Sequence, residues 1–416
     1  MPADAAAKPD RTPLAMFPLR TVWTLPLNNA LTKPPSFGEH RGYFPIEGDR
    51  LVAYDLGTGC QLWIIACHVE MEPTSGDDLV FTVEPEGLSA RRATDGSPQW
   101  QLPLGDPLAV PPVWANGWLV AATRAGRILA FRASDGQLIW QRDLGSPAHA
   151  RPAVAGDRVY VPTDDHRVVA LRVETGELAW EHRLGGPAND ILPLEDRLYV
   201  GSADNFFYCL NTRDGMVDWR WRTGADVIGL PAVDEHTVYF VSLDNVLRGL
   251  NRHSGGQRWK RPLPLRPTSG PVKAADSLIV TGIAPTLRAF ATGDGAPAGE
   301  LAPAGDVAAP LYLFEDPLAL GPVIVVVTRD VATGATVTAM ARSLKPDSSP
   351  FVLLPRPMTV EAPPPDISPF VPLPNPEGTP SPNISPFVPL PNPVPVGTPS
   401  PASVRTPSPD WEMPKP

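Results

Sequence analysis

Seven times in this chain an aliphatic run leads into a turn dipeptide ending in glycine, and six of the seven close on tryptophan four residues later. The clearest copy is VVALRVETGELAW at 168–180; the others begin at Leu51, Leu88, Ile128, Phe207, Leu247 and, without the tryptophan, Leu287. Their turn glycines are Gly59, Gly96, Gly136, Gly176, Gly215, Gly255 and Gly295, in steps of 37, 40, 40, 39, 40 and 40. The associated tryptophans are Trp63, Trp100, Trp140, Trp180, Trp219 and Trp259, and Trp23 lies 40 residues before Trp63, in phase with them. Each copy reads as a β-hairpin, because alternating apolar residues favour strands and a glycine accepts the positive φ of a tight turn.

A period near 40 with four strand-sized segments per unit is the signature of a propeller blade. In the repeat around Val168 these segments are 151–155, 159–163, 168–173 and 177–183. Prolines 112, 152, 193, 231, 271 and 310 recur near the first strand of each unit, where a missing N–H is tolerated. The expected fold is all-β: a β-propeller of four-stranded antiparallel blades. TVWTLPL at 21–27 matches a fourth strand without its three predecessors, and 309–316, 322–328 and 335–343 match three strands without a fourth. The N-terminal strand would then close the ring as the outer strand of the last blade, making eight blades. A second register, with Gly334 taken as one more turn glycine 39 residues after Gly295, leaves the alternative of seven.

Composition bounds the flanks. Residues 1–19 are rich in Ala, Pro and charge and read as a disordered leader; 20–345 form the propeller. In the stretch 346–416, 24 of the 55 prolines are concentrated and ISPFVPLPNP occurs twice, from Ile367 and Ile384, so this segment reads as a disordered, extended tail. It is a spacer, or else a docking tail whose Phe370 and Phe387 offer a ligand to an aromatic groove of a groove-type domain.

The net charge of −10, with no basic stripe, argues against nucleic acid and anionic membrane surfaces. No apolar run of 18 residues predicts a transmembrane helix, and the start has neither the apolar region of a signal peptide nor a lipid-attachment cysteine. The three cysteines, Cys60, Cys67 and Cys209, are read as packing residues, the first two on one strand. The chain holds no HExxH, P-loop, GxSxG or CxxC motif, and its seven histidines show no ligand spacing, so neither a catalytic site nor a metal site is expected. Asp164-Asp165, Asp204-Asn205 and Asp244-Asn245 are read as turn residues that bond their own backbone. If the ring binds anything, the mouth of its central channel is the natural place, and Lys33, His149, Arg151, Asn189, Asp190, Asp226 and Ser269 lie just before the inner strands there.

The repeated hairpin resembles the pyrroloquinoline-quinone (PQQ) type of propeller repeat, and AYDLGTGCQLW matches that family's tryptophan-docking pattern at Ala53, Asp55, Gly59 and Trp63. The resemblance covers about residues 20–343 and implies one of two kinds of protein. Quinoprotein dehydrogenases hold PQQ and calcium, with an aspartate base and often adjacent cysteines; this chain has no adjacent cysteines and no long insertions between repeats. In length and tight spacing the ring is closer to the propeller lipoprotein of the outer-membrane β-barrel assembly machinery, a non-catalytic binder of proteins. That resemblance implies a periplasmic or outer-membrane-associated location, with the compartment itself open. The expected function is therefore a monomeric, non-enzymatic scaffold that binds a protein partner and no cofactor. A PQQ-dependent oxidoreductase with a degenerate site is the alternative, and a ring that senses envelope glycans is a third.

Overall fold

The computed structural model describes residues 15–38, 40–284, 286–316, 319, 321–330 and 334–343; the proline-rich tail and most of the leader lie outside the described residues. Every element within them is a β-strand. Blade 4 shows the plan: Ala153–Ala155, Arg158–Pro162, Arg167–Arg172 and Leu178–Arg183 form one antiparallel sheet in chain order. The same order builds blade 1 (36–66), blade 2 (74–102), blade 3 (108–143), blade 5 (188–222), blade 6 (227–262) and blade 7 (272–301).

Blade 8 is shared between distant parts of the chain. Tyr312–Glu315, Pro322–Asp330 and Gly334–Arg342 supply three strands, and Leu19–Pro26 pairs antiparallel with the last of these, from Leu19 opposite Arg342 to Pro26 opposite Thr336. The ring thus has eight blades. Gly334 opens the third strand of blade 8, and the outer place it would need for a seven-bladed register is taken by the N-terminal strand. A 16-residue apolar cluster that includes Trp23, Phe44, Leu56 and Val337 then fills the joint between blades 8 and 1.

Burial explains why the pattern was readable. The two middle strands of a blade are covered by neighbours on both faces, so Arg167–Arg172 is buried at four consecutive positions. The outer strand Leu178–Arg183 buries only its tryptophan. That tryptophan faces a small residue on the third strand: Ala53, Ala90, Ala130 and Ala170 stand opposite Trp63, Trp100, Trp140 and Trp180. Cys209 and Gly249 take this place opposite Trp219 and Trp259. A larger side chain would push the indole off the next blade; even at Gly249 an added Cβ would lie 2.8 Å from Trp259.

Each indole lies over the turn glycine of the following blade and donates its Nε1–H to a carbonyl beside that turn. The bonds run from Trp23 to Leu56 (3.0 Å), Trp63 to Ala93 (2.8 Å), Trp100 to Ala133 (2.9 Å) and Trp140 to Val173 (2.6 Å). They continue from Trp180 to Thr212 (2.8 Å), Trp219 to Arg252 (3.2 Å) and Trp259 to Thr292 (3.0 Å). The glycines beneath are Gly59, Gly96, Gly136, Gly176, Gly215, Gly255 and Gly295, so seven of the eight joints use one device. Asp55 completes the first turn by accepting the Thr58 N–H at 2.8 Å.

The eighth joint differs. Forty residues after Trp259 stands Gly299, and Phe17 packs on its bare backbone. Beside it Met16 is 1% exposed and its N–H donates to Asp276 Oδ1 at 2.9 Å. Met16 and Phe17, assigned to the leader from composition, therefore pack between blades 7 and 8, because this joint needs apolar filling that its own blade does not provide. Cys60 also departs from expectation. It is exposed in the turn before Gln61–Ala66, whereas Cys67, just after that strand, and Cys209 are buried.

The joint is testable at its glycine. At Gly176 φ is +70° and a Cβ would meet Trp140 Cε3 at 2.6 Å, whereas at Gly145, also at +70°, a Cβ meets nothing within 4 Å. Both alanine variants carry the cost of a left-handed residue, about 1 kcal/mol, but only Gly176→Ala also displaces an indole. Urea melts should show Gly176→Ala the less stable of the two by about 1–3 kcal/mol; equal losses would contradict the account.

Candidate functional site

The connectors between blades and the turns between second and third strands lie at one end of the ring. Here the turn aspartates do more than hold their own turns. Asp204 accepts the N–H of Gly185 at 3.0 Å and the hydroxyl of Tyr208 at 2.6 Å, and Asp244 accepts the N–H of Gly224 at 2.9 Å, so each ties down the connector entering its blade. Burial would raise the Asp244 carboxyl, but the buried Arg248 and the hydroxyl of Ser242 outweigh it and bring it down to about 2. These residues are structural, and the binding candidates lie inward of them.

Of the seven channel-mouth candidates, the fold brings two together. Arg151, just before the inner strand of blade 4, forks onto Glu72 before the inner strand of blade 2, with Nη1–Oε1 at 3.3 Å and Nη2–Oε2 at 3.0 Å. The pair spans 79 residues and passes over blade 3. Asp190, at the inner strand Ala188–Leu194 of blade 5, accepts the backbone N–H of Gly229 and feels the positive charge of Arg151. Burial dominates and pushes its carboxyl up to about 6; burial likewise raises Glu72 against the pull of Arg151. The mouth therefore carries two carboxyl groups and one guanidinium cation, drawn from blades 2, 5 and 4.

The other five candidates do not join this pair. His149 Nδ1 lies 2.7 Å from Asp164 Oδ1, Asn189 Nδ2 donates to the Val227 carbonyl at 2.7 Å, and Ser269 Oγ bonds Thr281 Oγ1. The Asp226 carbonyl accepts the N–H of Leu243. Lys33 lines a separate cavity of about 470 Å³ with His68, Glu70, Glu84, Asp106 and Arg124, among connectors and turns of blades 1 to 3. Glu84 in that cavity is buried, accepting from Thr82 Oγ1 at 2.7 Å and from Arg91 Nη2 at 3.2 Å.

Glu72 was missed by sequence reasoning, yet a signal for it existed. Glu72, Pro111, Arg151, Asp190, Leu230, Gly270 and Ala309 succeed one another in steps of 39, 40, 39, 40, 40 and 39, so they hold one repeat position. Only three of the seven are charged, and they are the ones that interact.

Chemically, the mouth can grip a polar or charged group but has few donors for metal chemistry. Among the described residues no three His, Cys, Asp or Glu side chains are arranged to hold a metal ion. Glu72 already shares its oxygens with Arg151, and one further carboxyl falls well short of the six to eight oxygens calcium takes. These donors do not fit a calcium-assisted quinone.

An eight-bladed ring with tryptophan-on-glycine joints places this chain in the class of PQQ-like propellers. The model of the family described as outer membrane protein assembly factor BamB matches residues 86–194 and 191–302, together just over half of the chain. The chain belongs to the BamB family. BamB of Yersinia pestis is 31% identical over 90 residues, which is 20% of this chain and 23% of that relative, so the match spans under a quarter of the relative's length. Among solved structures, BamB from Moraxella catarrhalis superposes with a TM-score of 0.64 at 16% identity, over 78% of this chain and 99% of that one. A europium-containing methanol dehydrogenase reaches 0.62 at 12% identity, over 78% and 93%. The quinohemoprotein alcohol dehydrogenase ADHIIG from Pseudomonas putida HK5 reaches 0.60 at 13% identity, over 80% and 78%. At these identities the structural likeness is one of fold.

Asp190 yields a pH prediction. Its carboxyl titrates near 6 when folded and near 3.9 when unfolded, so the fold opposes its ionisation; the cost is absent below about pH 4 and complete above about pH 6. Asp190→Asn removes it, and melts should show no gain at pH 4 rising to about 1–2 kcal/mol at pH 7.5, after discounting for partial exposure. A gain equal at both pH values would contradict the assignment.

Proposed function

We propose that this chain is a non-catalytic scaffold of outer-membrane protein assembly, a single ring that binds a protein partner and no cofactor. Family membership supports the process, and one surface feature supports the mode of binding. Two residues after the turn glycine, the outer strands of blades 3, 4 and 5 carry Leu138, Leu178 and Val217, where blades 1, 2, 6 and 7 carry Gln61, Pro98, Gln257 and Pro297. With the adjoining Ile139 and Met216, these five side chains are 37–67% exposed. Three neighbouring blades therefore carry an apolar arc, joined on blade 1 by the exposed Leu62 and Ile64, and each outer strand ends its sheet with an unpaired edge among the described residues.

Grouped exposed apolar residues beside open strand edges are the surface that takes an added strand or an apolar helix face. The indole joints hold the arc rigid, so a partner loses little in ordering it. The channel charges would add a polar contact for a second segment of the same partner.

The role is tested in bacteria lacking their own BamB-family protein, with this chain supplied behind an export signal. It should restore the level of folded outer-membrane barrels, and Leu138→Asp with Leu178→Asp should abolish the rescue while leaving the melting temperature within a few degrees, since both side chains are exposed. Rescue by the double variant equal to that of the parent would rule out the arc. No rescue by the parent would rule out the assembly role.

A further inference from the structure

The joint between blades 7 and 8 is incompletely filled. A cavity of about 600 Å³ opens between the outer strand Pro297–Leu301 of blade 7 and the N-terminal strand Leu19–Pro26 of blade 8, lined by Phe17, Leu19, Ala298, Gly299, Leu301 and Met340. Every other joint has an indole here. At this one the in-phase residue is Gly299, and Phe17 covers only part of the space.

The chain leaves the ring beside this cavity. The N–H of Ser343, the last described residue, donates to the carbonyl of Pro18 at 2.8 Å, and both Pro18 and Met340 line the cavity. Soon after Ser343 the sequence holds a third copy of the tail repeat. SPFVLLPRP at 349–357 matches SPFVPLPNP at 368–376 and 385–393 in seven of nine positions. The five residues 344–348 lie between, and extended they reach about 17 Å, enough to bring Phe351 to the opening.

One difference singles out the first copy. Where the later copies have Pro372 and Pro389, it has Leu353, so Phe351, Val352, Leu353 and Leu354 keep four consecutive backbone N–H groups. A proline in the middle of such a run would remove a donor needed to lie along a strand edge. The flanking prolines limit the conformational freedom lost on docking, and a short tether gives a high effective concentration.

We propose that segment 349–357 docks in cis into the cavity between the outer strands of blades 7 and 8, with the Phe351 ring taking the place that tryptophan holds at the other joints. The blade-7 edge is thereby covered by the chain itself.

The test is hydrogen exchange on the full chain and three variants: Phe351→Ala, Phe370→Ala and a deletion of residues 1–14. Phe351→Ala should speed exchange at 297–301 and 17–21 by about tenfold, while Phe370→Ala and the deletion leave it unchanged. A second readout replaces Cys60 with Ser and pairs Ala298→Cys with Phe351→Cys; oxidation should give a disulfide within one chain. Unchanged exchange in Phe351→Ala would overturn the proposal. So would faster exchange only on deleting 1–14, which would make the leader the occupant, or a disulfide formed only between two chains, which would make the occupant a second copy.

Discussion

The ring depends on one contact: an indole of one blade laid flat on the bare turn of the next. The contact needs three residues at once. A tryptophan sits mid-strand on the outer edge, a small residue faces it on the third strand, and a turn glycine at positive φ receives it, as Trp140, Ala130 and Gly176 do. Because the indole also donates to a carbonyl beside that turn, the contact fixes orientation as well as spacing. Seven copies of it set the angle between blades, and pairing of Leu19–Pro26 with Gly334–Arg342 closes the circle. The exceptional joint is the one where Gly299 leaves the device without its indole and Phe17 enters from the N-terminal segment.

The same contact explains how much of the fold is legible in the sequence. The joint residues, Ala130 to Gly176 in one copy, belong to adjoining repeats and recur, so spacing revealed the blades and the closing strand, while the choice of eight over seven needed the pairing of Leu19–Pro26 with Gly334–Arg342. Contacts that break the period were not readable. Met16 and Phe17 pack against residues some 260 to 280 positions away, and nothing local marks them as core. The candidate site was legible in part for the same reason. Arg151 and Asp190 could be placed at the inner strands, but Glu72 meets Arg151 across 79 residues and an intervening blade. Lys33, His149 and Ser269 hold similar places in the chain, yet Lys33 lines a separate cavity and the other two face Asp164 and Thr281, because nearness to an inner strand does not determine where a side chain points.

The same geometry bears on what the channel mouth can hold. In this ring the channel mouth sets an arginine between two acids, an arrangement that uses the carboxylates against a guanidinium and leaves them few oxygens for a cation. The outer strands of blades 3 to 5 expose apolar residues, as that of blade 1 does at Leu62 and Ile64. These two features are what the proposed scaffold role rests on.

Isothermal titration of the full chain with PQQ and calcium, followed by absorbance after dialysis, tests this account most directly. No binding heat and no retained cofactor are expected. Affinity in the micromolar range or tighter, with quinone absorbance surviving dialysis, would contradict it and return the channel to catalysis.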